Sequence, residues 1–478
     1  MILALTKHLS PWKIISFRRK NTARALKMNP LKRTSSTDRD VSPPALKRKP
    51  LPSTTTQKAV SNFFKPASQK EPDKITWRVV NDSLLVGKYN ATSIESKGTS
   101  EEKKKIAAFD FDSTLITTQS GNTFSRNGSD WKWWHTSVPG TLKRLHSEGY
   151  LVAIVSNQSG ISLKPNPKSL KSDMKRLSDF KQKANAVFNQ LNLPISLYAA
   201  TAKDQYRKPR PGMWNALLED FSLTSDAIDH VASIFVGDAA GREAVAGRKK
   251  DFSSSDRDLA ANVGISFKTP EEFFLAEAPA PFVRDFDPVQ FLAQQVISTP
   301  PTVFAKAHDV EMVIYCGSPG CGKSTFFWKH LKPLGYERVN QDILKSRDRC
   351  IKVASDHLAN GNSVLIDNTN ASREARAHWT KLATKYKVPI RCIYFTASDK
   401  ICRHNDTVRA LNAAVFNQEL GKTLNPEDRT ILPPVAFTSY RGRFEEPKLE
   451  EGFTEIVKVD FEFDGTEEQR AVWSKYWI

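Results

Sequence analysis

The chain has 478 residues, of which 39% are apolar and 26% charged, and its 71 Lys and Arg outnumber 52 Asp and Glu to give a net charge of +19. That length exceeds one ordinary hydrophobic core and predicts two or three domains. No apolar run approaches the roughly 20 residues that cross a bilayer, which argues against an integral membrane protein, and five cysteines without a CxxC pair predict a reducing compartment and no zinc site.

The first element is a tail, residues 1–75, rich in Lys, Arg, Ser, Thr and Pro and without sustained periodicity, which predicts disorder. Residues 1–70 hold 16 Lys and Arg against only Asp38 and Asp40, so the tail accounts for +14 of the +19 and could touch nucleic-acid phosphates. Its first 37 residues contain nine bases and no acid, with Ile2, Leu5, Leu9 and Trp12 at helical spacing, the composition of a mitochondrial presequence that Pro11 interrupts. A start at Met28 would remove it and leave "PPALKRKPLP", which reads as a nuclear import signal, so a nuclear protein with a mitochondrial pool is expected. Further on, "QKAVSNFF" resembles the peptide by which repair and replication proteins dock on the sliding clamp. Gln57 would hydrogen-bond beside a pocket that takes Val60, Phe63 and Phe64 from one tight turn.

From about Ile75 the pattern becomes globular: "IAAFDF", "LVAIVSN", "ISLYAAT" and "SIFVGDA" read as short buried strands between helical stretches such as "GTLKRLHSEGY" and "DFKQKANAVFNQLNL". Such alternation predicts a parallel sheet covered by helices on both faces. The Pro-rich "AEAPAPFVRD" and "STPPTVF" mark a boundary within residues 276–305, beyond which "EMVIYCGS", "SVLIDNTN" and "IRCIYFTA" form a second alternation. The predicted fold class is α/β, with two different parallel-sheet domains, 76–275 and 276–478, behind the basic tail.

In parallel sheets the loops at the carboxyl ends of strands hold the chemistry. Asp110 and Asp112 of "FDFDST" stand there two residues apart, so both face one site. One carboxylate can attack phosphorus while the other gives a proton to the leaving alkoxide. Ser156 and Asn157 of "IVSNQSG" suit phosphate oxygens, Lys208 of "YRKPRPGMW" can neutralise a phosphoryl group, and Asp238 of "FVGDAAGR" suits magnesium. This order of motifs is similar to that of the haloacid dehalogenase superfamily of phosphatases. The resemblance implies Asp110 as nucleophile, Asp112 as acid and base, Ser156 and Lys208 as phosphate anchors, and magnesium on Asp110, Asp238 and the Asp112 carbonyl. Many members carry a second acid four or five residues after the GD, where this chain reads "AAGRE"; Asp256 of "SSDRDLAANVGI" is favoured for that place over Glu243 and Asp251.

The second alternation opens with "VIYCGSPGCGKST", a P-loop directly after a strand. Backbone N–H groups of Gly317, Ser318, Pro319-flanked Gly320, Cys321 and Gly322 would wrap the β-phosphate of ATP; Lys323 would bridge the β- and γ-phosphates, Ser324 would hold magnesium, and Thr325 would support the α-phosphate. Asp342 of "RVNQDIL" could accept a proton from an acceptor hydroxyl, and Asp367 of "VLIDNTN" ends an apolar strand where a Walker-B acid belongs. Arg403 and Arg409 of "CRHNDTVRAL" are expected on a mobile segment that closes on the γ-phosphate.

Together, "FDFDSTLI", "SNQ", "YRKPRPGMW" and "GDAAGR" followed by a P-loop, "NQD", "IDNTN" and "RHN" resemble the eukaryotic polynucleotide kinase 3′-phosphatases from about residue 76 onward. The resemblance implies removal of a 3′-phosphate and ATP-dependent phosphorylation of a 5′-hydroxyl, preparing DNA ends at nicks, gaps and breaks for gap filling and ligation. Animal members begin with a forkhead-associated domain, for which this tail is too short and polar, leaving the clamp-like peptide as a substitute for recruitment. A monomer is expected. Trp131, Trp133 and Trp134 of "WKWWH" could stack on an unpaired base, although packing is the commoner role of Trp. Competing readings are a bifunctional enzyme of small phosphorylated metabolites, an RNA-end repair enzyme, and a repair scaffold without activity.

Overall fold

The computed structural model describes residues 74–90, 103–164, 166–245, 249–295, 304–416 and 430–478. The presequence-like stretch, the basic import signal and the clamp-like residues Gln57, Val60, Phe63 and Phe64 lie outside the described residues.

The first sheet has seven strands: β1 (Ile75–Val80), β2 (Leu84–Tyr89), β3 (Ile106–Phe109), β6 (Leu151–Asn157), β7 (Ile195–Ala200), β8 (Ile234–Val236) and β9 (Ser266–Lys268), with β4 (Ile116–Thr117) and β5 (Lys132–Trp133) forming a separate small hairpin. Their order is β1-β2-β7-β6-β3-β8-β9. The five strands from β7 to β9 run parallel. β2 joins β7 antiparallel, and the β1–β2 hairpin at this edge has no counterpart among the predicted strands.

Period-2 alternation builds both faces of this sheet. β3 sends Ala107 and Phe109 into one core and Ile106 and Ala108 into the other, and β6 divides Val152 and Ile154 from Ala153 and Val155 in the same way. The first core is closed by the helices Val138–Ser147 and Leu170–Leu191, which contribute Leu142, Leu145, Phe180 and Phe188. The second is closed by the helices Gly212–Asp220 and Ser255–Val263, through Met213, Leu217 and Leu259. A strand buried on both faces has nowhere to place a polar side chain except at its end, which is where the acids are.

The second sheet is entirely parallel: β10 (Met312–Cys316), β11 (Glu337–Val339), β12 (Val364–Ile366), β13 (Ile390–Phe395) and β14 (Glu455–Val459) in the order β11-β12-β10-β13-β14. Its two faces again separate by parity, Met312 and Ile314 from Val313 and Tyr315. Both sheets lie in one compact unit, Pro72–Ile478. A further small core of Leu292, Val408, Trp473 and Trp477, flanked by Phe286, Phe291, Phe461 and Phe463, draws its residues from the segment after the first sheet, from the helix Asp399–Leu411 between β13 and β14, and from the chain beyond β14. All five cysteines are buried free thiols. Among the described residues no helix is long and apolar enough to cross a membrane.

Candidate active site

β3 ends at Phe109, and the chain passes directly into Asp110, whose N–H donates to the carbonyl of Val236 on the neighbouring strand at 2.9 Å. That bond fixes Asp110 between β3 and the β8 end that carries Asp238. Carboxylate oxygens of Asp110, Asp238 and Asp256 all lie within 4.8 Å of one another. The close approach needs the glycine of the GD pair: a Cβ on Gly237 would stand 2.2 Å from Asp256 Oδ2. Lys208 Nζ joins the cluster, 2.6 Å from Asp110 Oδ1 and 2.8 Å from Asp256 Oδ1, and donates to the Val155 carbonyl at 2.8 Å.

Electrostatics in this pocket are unbalanced. Burial pushes the Asp110 carboxyl up to about 6, with the Asp256 charge adding to the rise and Lys208 opposing it. Burial and the charges of Asp110 and Asp256 push Asp238 up to about 8. Burial pulls the Lys208 ammonium down, but Asp110 and Asp256 outweigh this and hold it above its usual range. Three carboxylates, those of Asp110 and Asp256 buried and that of Asp238 half-buried, with one ammonium leave excess negative charge, the donor set that a hard divalent cation satisfies.

Asp112 lies apart from that cluster and its side chain is 47% exposed. Lys183 Nζ donates to its Oδ1 at 3.0 Å and Gln158 Nε2 to its Oδ2 at 2.7 Å. Ser156, buried at the end of β6, accepts from the same Gln158 amide at 3.1 Å. The Asn157 amide clasps the Lys208 backbone, accepting from the N–H at 2.9 Å and donating to the carbonyl at 3.2 Å, and so braces the lysine loop. Of the rival acids, Glu243 pairs with Lys250 at 2.8 Å and Asp251 with Arg242 at 2.8 Å, both outside the cluster. The tryptophans pack: Trp131 and Trp133 meet edge to face at 5.5 Å, Trp133 Nε1 donates to Gln190, and Trp134 lies against Phe274.

At the second sheet, β10 ends at Cys316 and the loop Gly317–Gly322 follows, entering the helix Lys323–Phe326. Gly320 has φ +78°, and a Cβ there would stand 2.2 Å from the Cys402 carbonyl. Lys323 Nζ folds back on the loop and donates to the carbonyls of Gly317 at 2.9 Å and Ser318 at 2.6 Å. Pro319 is half-buried, Cys321 is buried and Thr325 is exposed. Ser324 Oγ donates to the buried Asp367 Oδ2 at 3.2 Å, and Arg338 Nε donates to the same oxygen at 2.8 Å. Asn340 Nδ2 donates to the Asp367 carbonyl at 2.8 Å while its Oδ1 accepts from the Asp342 N–H at 2.8 Å. Asp342 thus sits exposed in the first turn of the helix Gln341–Leu344, beside the strand end of Asp367. Arg403 and Arg409 lie on the helix Asp399–Leu411, capped by Ser398. The segment is helical, and in it Arg403 pairs with Asp399 at 2.6 Å and Asn405 Nδ2 donates to the Gly320 carbonyl at 3.0 Å.

Comparison with known proteins agrees with this pairing of sites. A family model described as polynucleotide kinase 3 phosphatase matches residues 105–274, and one described as an AAA domain matches 312–422. The bifunctional polynucleotide phosphatase/kinase of Schizosaccharomyces pombe is 40% identical over 389 residues, 81% of this chain and 85% of that protein. The chain belongs to the bifunctional polynucleotide phosphatase/kinase family. A polynucleotide 3′-phosphatase of Saccharomyces cerevisiae is 29% identical over 219 residues, covering 36% of this chain and 89% of its own.

Within this phosphatase/kinase, four residues close to the reacting groups were absent from the sequence expectations: Gln158, Lys183, Arg338 and Asn405. Gln158 had a local signal, since alternate residues of an extended segment share a side and Ser156 therefore points with Gln158, not with Asn157. Arg338 lies on β11 only four residues before Asp342, but nothing in its neighbours marks it. Lys183 and Asn405 sit on helices, and only the fold brings them to Asp112 and Gly320.

Proposed function

We propose that this protein repairs the ends of broken DNA strands, removing a 3′-phosphate at the Asp110 site and phosphorylating a 5′-hydroxyl at the P-loop. The observation that carries this reading is the presence, in one compact unit, of a carboxylate-and-lysine site at one parallel sheet and a glycine-loop site at another. We assign the phosphatase to residues 76–275 and the kinase to 276–478.

At the first site Asp110 attacks phosphorus through a carboxylate oxygen, the bond from phosphorus to the 3′ oxygen breaks, and Asp112 gives that oxygen a proton. Lys183 and Gln158 hold the two Asp112 oxygens, which fixes the direction from which the proton comes. Water then attacks the phosphoaspartate, returning its proton to Asp112 and freeing phosphate. Lys208 and Ser156 anchor the phosphoryl oxygens. Asp110, Asp238 and Asp256 would hold Mg2+ with the Asp112 carbonyl, and that ion supplies charge neutralisation to the transferring group.

At the second site the backbone of Gly317–Gly322 takes the β-phosphate of ATP, Lys323 reaches the β- and γ-phosphates, and Ser324 with Asp367 would hold Mg2+. Asp342 accepts the proton as the 5′ oxygen attacks the γ-phosphorus and ADP leaves. Arg403 and Arg409 are proposed for γ-phosphate charge because their helix rests on the loop through Asn405. The nucleus is the proposed location, with a mitochondrial pool, the clamp contact through Gln57 to Phe64 and a monomeric state resting on sequence pattern alone.

The test is a gapped duplex carrying a 3′-phosphate and a 5′-hydroxyl. Asp110→Asn is expected to abolish only dephosphorylation and Lys323→Ala only phosphorylation. Loss of both activities in each variant would overturn the two-site assignment.

A further inference from the structure

The loop that delivers Lys208 to the phosphatase cluster is not held by the first sheet alone. Pro209 and Arg210 follow Lys208 directly, and both are bound by groups tied to the segment Tyr476–Trp477 beyond the second sheet. Asn262, near the end of the helix Ser255–Val263, is the junction: its Nδ2 donates to the Pro209 carbonyl at 2.8 Å and to the Tyr476 carbonyl at 2.7 Å, and its Oδ1 accepts from the Tyr476 N–H at 2.8 Å. The same helix carries Asp256 in its first turn, so one rigid element links the acid cluster to this clasp.

Arg210 makes the second tie. It is 8% exposed, its Nε donates to the Trp477 carbonyl at 3.1 Å, and its Nη1 donates to the carbonyls of Lys203 at 2.9 Å and Asp204 at 2.6 Å. A buried guanidinium satisfied by carbonyl dipoles tolerates little displacement, because each lost bond leaves a desolvated donor. The segment itself is firmly seated. Trp477 is buried with Trp473 in the small aromatic core, its Nε1 donates to the Val472 carbonyl at 2.9 Å, and the Arg284 guanidinium lies 4.6 Å over the Tyr476 ring.

Lys208 must place one ammonium between two carboxylates and a transferring phosphoryl group, a geometry in which an error near 1 Å can cost about a hundredfold in rate. We propose that the kinase part of the chain sets this geometry: Tyr476 and Trp477 hold Pro209 and Arg210 through Asn262 and Arg210, making Asn262 and Arg210 positioning residues for Lys208. The inference rests on the phosphatase assignment at Asp110.

Full-length Asn262→Leu, which keeps the shape and removes the hydrogen bonds, tests it beside Arg210→Met and Arg210→Lys. Dephosphorylation of a 3′-phosphorylated duplex should lose about tenfold or more in kcat with KM within about threefold. Phosphorylation of a 5′-hydroxyl by the same molecules should stay within about twofold, which also shows that they are folded. Because both residues hold one loop, the Asn262→Leu/Arg210→Met double variant should lose less than the product of the single losses, and Arg210→Lys should recover part of the rate. Unchanged dephosphorylation in both single variants, or parallel loss of both activities, overturns the inference. A wild-type protein that phosphorylates but never dephosphorylates sinks instead the assignment beneath it.

Discussion

Replacing Asp256 by Asn removes one of three carboxylates that converge within 4.8 Å and leaves Lys208 with a single anionic partner. Phosphatase activity should fall by about a hundredfold or more, in line with the loss of a preorganised charged group at a transferring phosphate. Kinase activity of that variant should persist. Glu243→Gln, which disturbs the exposed pair with Lys250, should leave both activities within about twofold, since such pairs contribute little. Equal losses in the two variants, read by phosphate release, would return the second acid to the place four or five residues after the GD. The four motifs that carry Asp110, Ser156, Lys208 and Asp238 were legible because each ends or follows a strand. Asp256 was harder to place, because the insert before it displaces the acid from its usual spacing and only the meeting of the Ser255–Val263 helix with Gly237 restores it.

The doubly buried central strands and the phosphate loop were read from sequence, because such a strand must be apolar and such a loop rich in glycine, whereas β1, β2, β9, β14 and the β4–β5 hairpin had no counterpart among the predicted strands. Gly320 shows how tightly the second requirement is drawn. Its φ of +78° lies in the left-handed region, and a Cβ would collide with the Cys402 carbonyl of the helix Asp399–Leu411. Gly320→Ala therefore carries backbone strain of about 1–2 kcal/mol and pushes the loop off the helix that supports it. Kinase activity should drop by about a hundredfold with dephosphorylation unchanged, measured on the same duplex. A variant that phosphorylates normally would show that the loop has slack the structure does not display. The β1–β2 hairpin and the residues that reach across from helices, Lys183 and Asn405, were not legible, since neither their spacing nor their neighbours differ from ordinary edge or surface sequence. The helix that carries Arg403 was hidden for a related reason: its Ser398 cap and the pair of Arg403 with Asp399 do not stand out in a polar stretch.

At the scale of the whole molecule, the aromatic core around Trp473 joins the two functional halves and offers a pH test of that junction. His404 lies there 1% exposed, edge-on to Trp473 at 4.6 Å and Phe286 at 5.0 Å, with its Nε2 bonded to the Trp473 carbonyl at 2.8 Å. The neighbouring Asn405 accepts from Trp473 Nε1 at 2.8 Å and donates to the P-loop at Gly320, so the core reaches the kinase site, while Tyr476 and Trp477 reach the phosphatase loop. Burial pulls the His404 imidazole down to about 4 from 6.5, despite the opposing hydrogen bond that its Nε2–H donates to the Trp473 carbonyl. An unfolded chain therefore takes up a proton on His404 in the range where the folded one stays neutral. Stability from this residue is fully present above about pH 6.5 and drains away as pH falls toward 4, amounting to about 2 kcal/mol between pH 7 and pH 5. His404→Gln keeps a donor for the Trp473 carbonyl and has no charge to gain, so its unfolding free energy should fall less than that of the wild type over the same interval. Urea titrations at the two pH values give the difference directly. Identical slopes for the two proteins would mean that water reaches His404, and that the core joining the two halves is looser than its burial indicates.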